Sequence, residues 1–379
     1  MPWWPVEILM ARCNIPIAKP NISERTKTRV MDILGSGFIA SGDEVRKFEQ
    51  AFAGYTGAAE GIATSSGTTA LHVALLAAGI GPGDEVITTP FTFIATSNAV
   101  LYCGARVVFA DVDPATYNLD PEAIRKAARE HPKAKAVLAV HLFGLPCDMD
   151  AVIDVAAEYG LIVIEDCAQA HGALYKGRMV GSIGLLSAFS FYPTKNMTCG
   201  EGGMVVTSDN ELAERCRLLV NHGSAIRYQH EILGYNYRLT NIAAVIGSTQ
   251  LEDLDDFIAA RSANASRLTQ GLSGLFGIIT PWVPDGCRHA FNQYTIKVPQ
   301  GRDDLLKHLE REGIGYGLFY PQPSYKQALY KELGYGDCYC PVAEDLSAQV
   351  VSLPVHPLLD EWEIDRIIEV IGDWAPNKG

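Results

Sequence analysis

AVLAVHLFGLPCDMDAVIDVAAEYGLIVIE, residues 136–165, reads as strand, helix, strand. Ala136–Val140 and Leu161–Glu165 are short aliphatic runs without polar alternation, the pattern of strands covered on both faces. Between them Asp148–Tyr159 carries apolar residues at helical spacing and stops before Gly160. The same grammar extends outward. On the N-terminal side it predicts strands at Glu85–Thr88 and Arg106–Ala110, and helices at Thr68–Ala78 and Pro121–Glu130, the latter with Pro just inside its start. On the C-terminal side it predicts strands at Ser187–Ser190 and Met204–Thr207. Such alternation predicts an α/β fold with a large mixed, mostly parallel sheet flanked by helices.

After about residue 250 the text changes. Leu251–Leu272 reads as one long charged helix, NQYTIKV (292–298) as a strand, Arg302–Glu312 as a helix, and Asp360–Gly372 as the last helix. We expect a large domain over 15–250 and a smaller α+β C-terminal domain over 251–379.

Composition removes several function classes. Of 379 residues 48% are hydrophobic and 20% charged, with 35 Gly and 20 Pro dispersed along the chain, which excludes disordered and fibrous classes. Lys plus Arg number 31 against 44 Asp plus Glu, a net charge of −13 with no local basic patch, so nucleic acid is not an expected partner. The nine cysteines are odd in number and lack C-x-x-C pairs, which fits a reduced, cytoplasmic compartment. Cys338 and Cys340 form a C-x-C without a second Cys/His pair, and no metal site is expected. The opening MPWWPVEILMARCN has no basic leader region, and no run approaches the roughly 18 apolar residues of a membrane span, so neither export nor membrane insertion is expected.

Three places that follow β-like runs concentrate polar chemistry, where open α/β sheets bind ligands. In Ser65-Ser66-Gly67-Thr68-Thr69, small residues let backbone N–H groups converge on an anion at a helix start; a plain Ser/Thr cap is the other reading. No G-K-[ST] and no GxGxxG occurs, against ATP or NAD. Glu165-Asp166 ends an apolar strand, and a buried carboxylate needs a cationic partner, in a ligand or in a structural ion pair. Lys195 lies in SAFSFYPTKNMTCGEGG (187–203) among aromatic and small residues, where partial desolvation lowers an ammonium pKa and makes the amine nucleophilic, as a Schiff-base lysine requires. Anion cradle, carboxylate and lysine are together the parts that hold the phosphate, pyridine nitrogen and aldehyde of pyridoxal phosphate.

The chain also resembles the sugar aminotransferases of the DegT/DnrJ/EryC1/StrS family, within the aspartate aminotransferase (type I) fold of pyridoxal-phosphate enzymes. The resemblance runs from about Ile15 to Ile371, through SSGTTALHVAL (65–75), GPGDEVITTPFTFIATSNAV (81–100), VHLFG (140–144), VIEDCAQAHGA (163–173), the Lys195 segment, NHG (221–223), GYNYRLTNIAAVIG (234–247) and LPVHPLL (353–359). It implies that Lys195 is the Schiff-base lysine and proton shuttle, and that Asp166 keeps the pyridine nitrogen protonated. It also implies that Phe93 stacks on the ring, that Gln169 bonds the phenolic oxygen, and that Gly67, Thr68 and Ser190 bind the phosphate. Asn236 would reach the phosphate of the other subunit of a homodimer with shared active sites. Taken singly, Phe93 also reads as core and Asn236 as a turn residue, and His72, His141, His171 and His222 are not counted as catalysts.

FYPQPSY (319–325) departs from the pattern: many relatives have His where this chain has Tyr325, which we expect to face the bound sugar. Lys195 separates the chain from the dehydratase branch, where His replaces the lysine. The expected activity is transfer of an amino group, from glutamate, to a keto carbon of a nucleotide-linked keto-deoxysugar, with C4 favoured and C3 the other position, feeding polysaccharide biosynthesis. The alternatives are a cofactor-binding regulatory or sensory protein without turnover and a sugar dehydratase.

Overall fold

A computed structural model of the chain describes residues 14–375. The opening stretch read for a leader, with Cys13, and the last four residues of the expected C-terminal domain lie outside the described residues. The strands, in chain order, begin with β1 (Glu60–Thr64), β2 (Glu85–Thr88), β3 (Arg106–Phe109), β4 (Ala134–Val140) and β5 (Ile162–Asp166). They continue with β6 (Leu174–Tyr175), β7 (Arg178–Met179), β8 (Leu186–Ser190) and β9 (Gly203–Thr207). Seven of these form one sheet in the order β1-β9-β8-β5-β4-β2-β3, in which β9 runs antiparallel to both of its neighbours and the other pairings are parallel. The sheet is therefore mixed and mostly parallel.

Alternation along each strand builds two cores. Val137, Ala139, Val163, Phe189 and Met204 face one layer of helices, and Leu138, Val140, Ile164, Ala188 and Val205 face the other. Both sets are fully or nearly buried, which is why the strands read as continuous apolar runs.

A smaller unit closes over the carboxyl ends of these strands. Cys287–Arg288 (β10) joins the β6–β7 hairpin, while Tyr294–Lys297 (β11) and Val350–Leu353 (β12) form an antiparallel pair. The pair is packed by the helices Leu254–Leu272, Arg302–Arg311 and Glu361–Trp374, and Ile15 joins this third core through a parallel bridge to Ile314. Tyr325, Tyr330, Tyr335 and Leu346, which lie in sequence between the helix Arg302–Arg311 and β12 of that unit, pack instead into a core of the large sheet.

The helix expected over Leu251–Leu272 is interrupted. Asn241–Glu252 ends at Asp253 and a new helix runs over Leu254–Leu272. Asp253 leaves the helical run with its carboxylate bonded to the Arg25 guanidinium at 2.9 Å, an engagement that spacing does not reveal.

Candidate active site

The carboxyl ends of β5 and β8 open into a cavity of about 720 Å³. Asp166 is the last residue of β5, paired with Val140 of β4 and Ala188 of β8, so its side chain leaves the sheet where the strands stop. It is 4% exposed; its Oδ2 accepts from the Thr96 hydroxyl at 2.8 Å and its Oδ1 from the Ala168 N–H at 3.1 Å. Burial raises its pKa, and these two donors and the nearby Lys195 only partly offset that. A carboxylate in this state is stabilised by a cationic N–H placed against it.

Lys195 follows β8 in a turn, its N–H donating to the Tyr192 carbonyl at 2.9 Å. Burial pulls its ammonium down to about 8 against the opposing pull of Asp166. At pH 7 about a tenth of the amine is then unprotonated, far more than for an ordinary lysine, and the neutral amine is what nucleophilic attack on a carbonyl requires.

The anion cradle is built at the start of the helix Gly67–Ala77. Ser66 Oγ accepts from the Thr69 N–H at 3.1 Å, and Thr69 Oγ1 in turn accepts from the Ser66 N–H at 3.0 Å, a reciprocal cap. Ser66 caps, as the plainer reading had it, and the cap leaves the first-turn amides of Gly67 and Thr68 outside the helix ladder, facing the cavity. Gly67 has no room for a side chain: a Cβ there would lie 2.5 Å from the Ser190 Cβ. Helix start and strand end are thus pressed together around one anion-sized space.

Phe93 is 55% exposed and lines the cavity, so it is not a core residue. Gln169 is fixed by its Oε1, which accepts the Phe143 N–H at 2.7 Å, leaving its Nε2 to donate to the Tyr320 hydroxyl at 3.0 Å. Gly67, Thr68, Phe93, Asp166, Gln169, Ser190 and Lys195 all lie on this one cavity.

Tyr325 requires a correction. It is 1% exposed and away from the cavity, its hydroxyl donating to Glu344 at 2.8 Å and accepting the Cys340 N–H at 3.0 Å. The aromatic residues of that segment that line the cavity are Phe319 and Tyr320, and the Tyr320 ring lies 6.0 Å from that of Phe93. The sequence reading also passed over Thr96 and Arg261, both on the cavity wall. Asn236 is exposed and does not line this chain's cavity, although its neighbour Tyr237 accepts the Ser65 N–H at 2.7 Å beside the cradle.

Behind Asp166, on the opposite side of β5, Glu165 is wholly buried. Its Oε1 accepts from the N–H groups of Ile183 and Gly184 and from the Ser187 hydroxyl, and its Oε2 from the Gly181 N–H and His141 Nε2. Burial alone would raise its pKa, but these donors outweigh it and hold the carboxyl below the ordinary range. His141 Nδ1 accepts the Cys147 N–H at 3.0 Å, so the ring proton sits on Nε2 and points at Glu165. Cys167 lies close to both, but the lone pairs of Glu165 are already engaged by protein donors.

Sheet order, strand-end carboxylate and lysine, and helix-start cradle define the type I fold of pyridoxal-phosphate enzymes. A family model described as the DegT/DnrJ/EryC1/StrS aminotransferase family matches residues 20–372. The chain belongs to that family. Among similar curated proteins, a pleiotropic regulatory protein of Geobacillus stearothermophilus is 43% identical, with 91% of this chain and 93% of the relative covered. A UDP-N-acetyl-3-dehydro-alpha-D-glucosamine 3-aminotransferase of Acidithiobacillus ferrooxidans is 44% identical (91% and 92% covered), and a GDP-perosamine synthase of Caulobacter vibrioides is 42% identical (94% and 97% covered). Among solved structures, S. venezuelae DesV in complex with a ketimine intermediate superposes with a TM-score of 0.89 at 39% identity, covering 93% of this chain and 95% of that one. Family and fold imply pyridoxal phosphate as the cofactor, and the buried acceptor of Asp166 and the Gly67 cradle fit it. No helix among the described residues is long and apolar enough to cross a membrane.

Proposed function

We propose that the chain is a cytoplasmic, homodimeric transaminase that moves an amino group from L-glutamate to a keto carbon, C4, of a nucleotide-linked keto-deoxysugar. The observation that carries this reading is the convergence of Lys195, Asp166 and the Gly67 cradle on one cavity. When bound, pyridoxal phosphate supplies a carbonyl that captures amines and a ring that accepts electron density. The chain's own residues do the rest. Gly67, Thr68 and Ser190 hold the phosphate through first-turn amides and a hydroxyl. Asp166, oriented by Thr96, keeps a proton on the pyridine nitrogen. Phe93 would cover one face of the ring, and Gln169, with its amide oxygen pinned by the Phe143 N–H, would present N–H to the phenolic oxygen. Lys195, with a pKa of about 8, can take a proton from the carbon bearing the transferred nitrogen and return it on the other side of that nitrogen. Phe93 and Tyr320, with ring centres 6.0 Å apart, line the same cavity as that amine.

Asn236, exposed beside the cradle and outside its own cavity, serves the phosphate of a second copy; this is the basis for the dimer with shared sites. The C4 assignment rests on GYNYRLTN and HLFG. A relative named as a 3-aminotransferase is about as similar as a perosamine synthase, so identity alone does not choose the carbon. The test is a panel of keto-sugar nucleotides with L-glutamate, product position being read by NMR. A C4 amino sugar from one of them is expected. Amination at C3 would overturn the position. A yellow protein that aminates none would favour the regulatory reading, and loss of a sugar hydroxyl without amination would favour the dehydratase. Lys195→Ala should abolish both turnover and borohydride-fixable cofactor.

A further inference from the structure

The cavity wall holds a second cation besides Lys195. Arg261, on the helix Leu254–Leu272, is 5% exposed and lines the same cavity. Its Nη1 donates to the Phe291 and Asn292 carbonyls at 3.1 and 3.4 Å, and its buried Nε has no hydrogen-bond partner. Among the described residues no carboxylate pairs with it. The cavity's two acids do not answer it: Asp166 is taken by Thr96 and Ala168, and Glu201 forms no ion pair with it. A buried guanidinium is ordinarily paired with an anion, and burial here pulls this one down to about 10. Its position relative to Lys195 is fixed by Asn292, whose Nδ2 donates to the Thr194 carbonyl at 3.1 Å and to Asn196 Oδ1 at 3.2 Å. The residues on either side of Lys195 are thus tied to the residue whose carbonyl Arg261 holds.

We propose that Arg261 is the anchor for the α-carboxylate of the amino-acid donor. The inference rests on the transaminase reading above and deepens it. A donor whose amine is delivered to the Lys195 position carries its α-carboxylate on the same carbon, so the carboxylate must lie within a few ångströms of that lysine. A planar fork of N–H donors on the wall of the cavity that Lys195 also lines matches a carboxylate in shape and charge. The diphosphate of a nucleotide sugar lies across the sugar ring from the reacting carbon and would sit farther out.

The test compares the wild-type holoenzyme with Arg261→Gln and Arg261→Lys. Its readouts are the cofactor absorbance change on mixing with L-glutamate, the same with isoglutamine, which keeps the side-chain carboxylate and lacks the α-charge, and calorimetric titration with 2-oxoglutarate. For Arg261→Gln we expect kcat/KM for L-glutamate to fall about 100-fold, the size of a lost charge-assisted bidentate contact, mostly through KM. The reaction with isoglutamine and the return reaction with the keto-sugar nucleotide should change less than about threefold, and Arg261→Lys, which keeps charge without the fork, should recover part of the loss. 2-Oxoglutarate affinity should fall at least about tenfold.

Equal losses on L-glutamate and isoglutamine, a loss confined to the keto-sugar step, or unchanged 2-oxoglutarate affinity would each overturn the assignment. If Arg261→Gln does not fold or retain cofactor, the same comparisons on Arg261→Lys decide. If the wild type reacts with no amino acid, the transaminase reading fails, and the 2-oxoglutarate titration still reports separately on whether Arg261 binds a carboxylate.

Discussion

Replacing Glu165 with Gln tests whether the pocket's floor stands on one buried carboxylate. All five contacts to Glu165 are donors: three reach Oε1, from Ile183, Gly184 and Ser187, and two reach Oε2, from Gly181 and His141. An amide supplies one oxygen and one NH2. With the oxygen kept towards the three donors, the NH2 faces the Gly181 N–H and His141 Nε2–H. The His141 ring cannot shift its proton to relieve this, because Nδ1 would then oppose the Cys147 N–H that it now accepts at 3.0 Å. Two buried donors are left unmade in either tautomer, at about 1–3 kcal/mol each, so Glu165→Gln should cost about 2–6 kcal/mol. The assay is urea unfolding of the cofactor-free protein at pH 7, read by far-UV circular dichroism. The pH dependence has a definite sign. The folded pKa of Glu165 lies below the ordinary 4.5, so its contribution is present above that value and lost as pH falls through the lowered folded pKa. The gap between wild type and variant should therefore narrow only in acid. Glu165 points away from the cavity, so the rate per folded molecule should fall less than about tenfold, a barrier change under about 1.4 kcal/mol. A stability change under about 1 kcal/mol would refute the five-donor account, because even the smallest estimate for two unmade donors exceeds it.

Asp166→Asn should keep the phosphate bound yet slow transamination at least about tenfold, or 1.4 kcal/mol of transition-state stabilisation, measured by single-turnover absorbance. Gly67→Ala forces a Cβ to within 2.5 Å of the Ser190 Cβ, so pyridoxal phosphate affinity by equilibrium dialysis should drop, and Ser190→Gly added to it should recover part of the loss. Tyr325→Phe removes the contacts to Glu344 and Cys340 and should cost about 1–3 kcal/mol of stability with KM for the sugar unchanged, each lost bond being worth about 0.5–1.5; a raised KM at unchanged stability would return Tyr325 to the substrate. In cofactor-free protein Lys195 has a folded pKa of about 8 against an ordinary 10.5, so the unfolded chain binds more protons between those values and stability should rise with pH across that window. Lys195→Met should flatten that rise.

What the sequence disclosed and what it withheld divide along one physical line. Asp166, Lys195 and the Ser66–Thr68 turn were legible because each stands at or just beyond the carboxyl end of a strand, and β1, β5 and β8 run in the same direction, so local reading alone brings them together. Tyr320 and Tyr325 lie five residues apart on a segment broken by Pro321 and Pro323, with no period to say which ring faces in. That choice is made by distant partners: Gln169 for Tyr320, and Glu344 with Cys340 for Tyr325, while the Pro90 carbonyl pins the Ser324 N–H at 2.9 Å between them. Thr96 was hidden for the same reason, since it meets Asp166 across 70 residues of chain.

Arg261 is a different case, because the signal was present and went unread. The buried stripe of its helix is Leu254, Phe257, Ile258, Arg261, Ala265, Leu268 and Leu272, spaced by three and four except for the adjacent pair Phe257 and Ile258. A charge on such a stripe must either leave the core or be answered within it, as burying it unpaired is costly. Long arginine stems often let the head escape to water, and reading the helix as a charged surface assumes that they do. Here the helix lies between the small unit and the cavity, so the head has no bulk water to reach and points at the site instead. A cation at such an apolar position is therefore a reason to look for an internal acceptor, and under the proposal above that acceptor is the donor's carboxylate, met where the small unit borders the cavity.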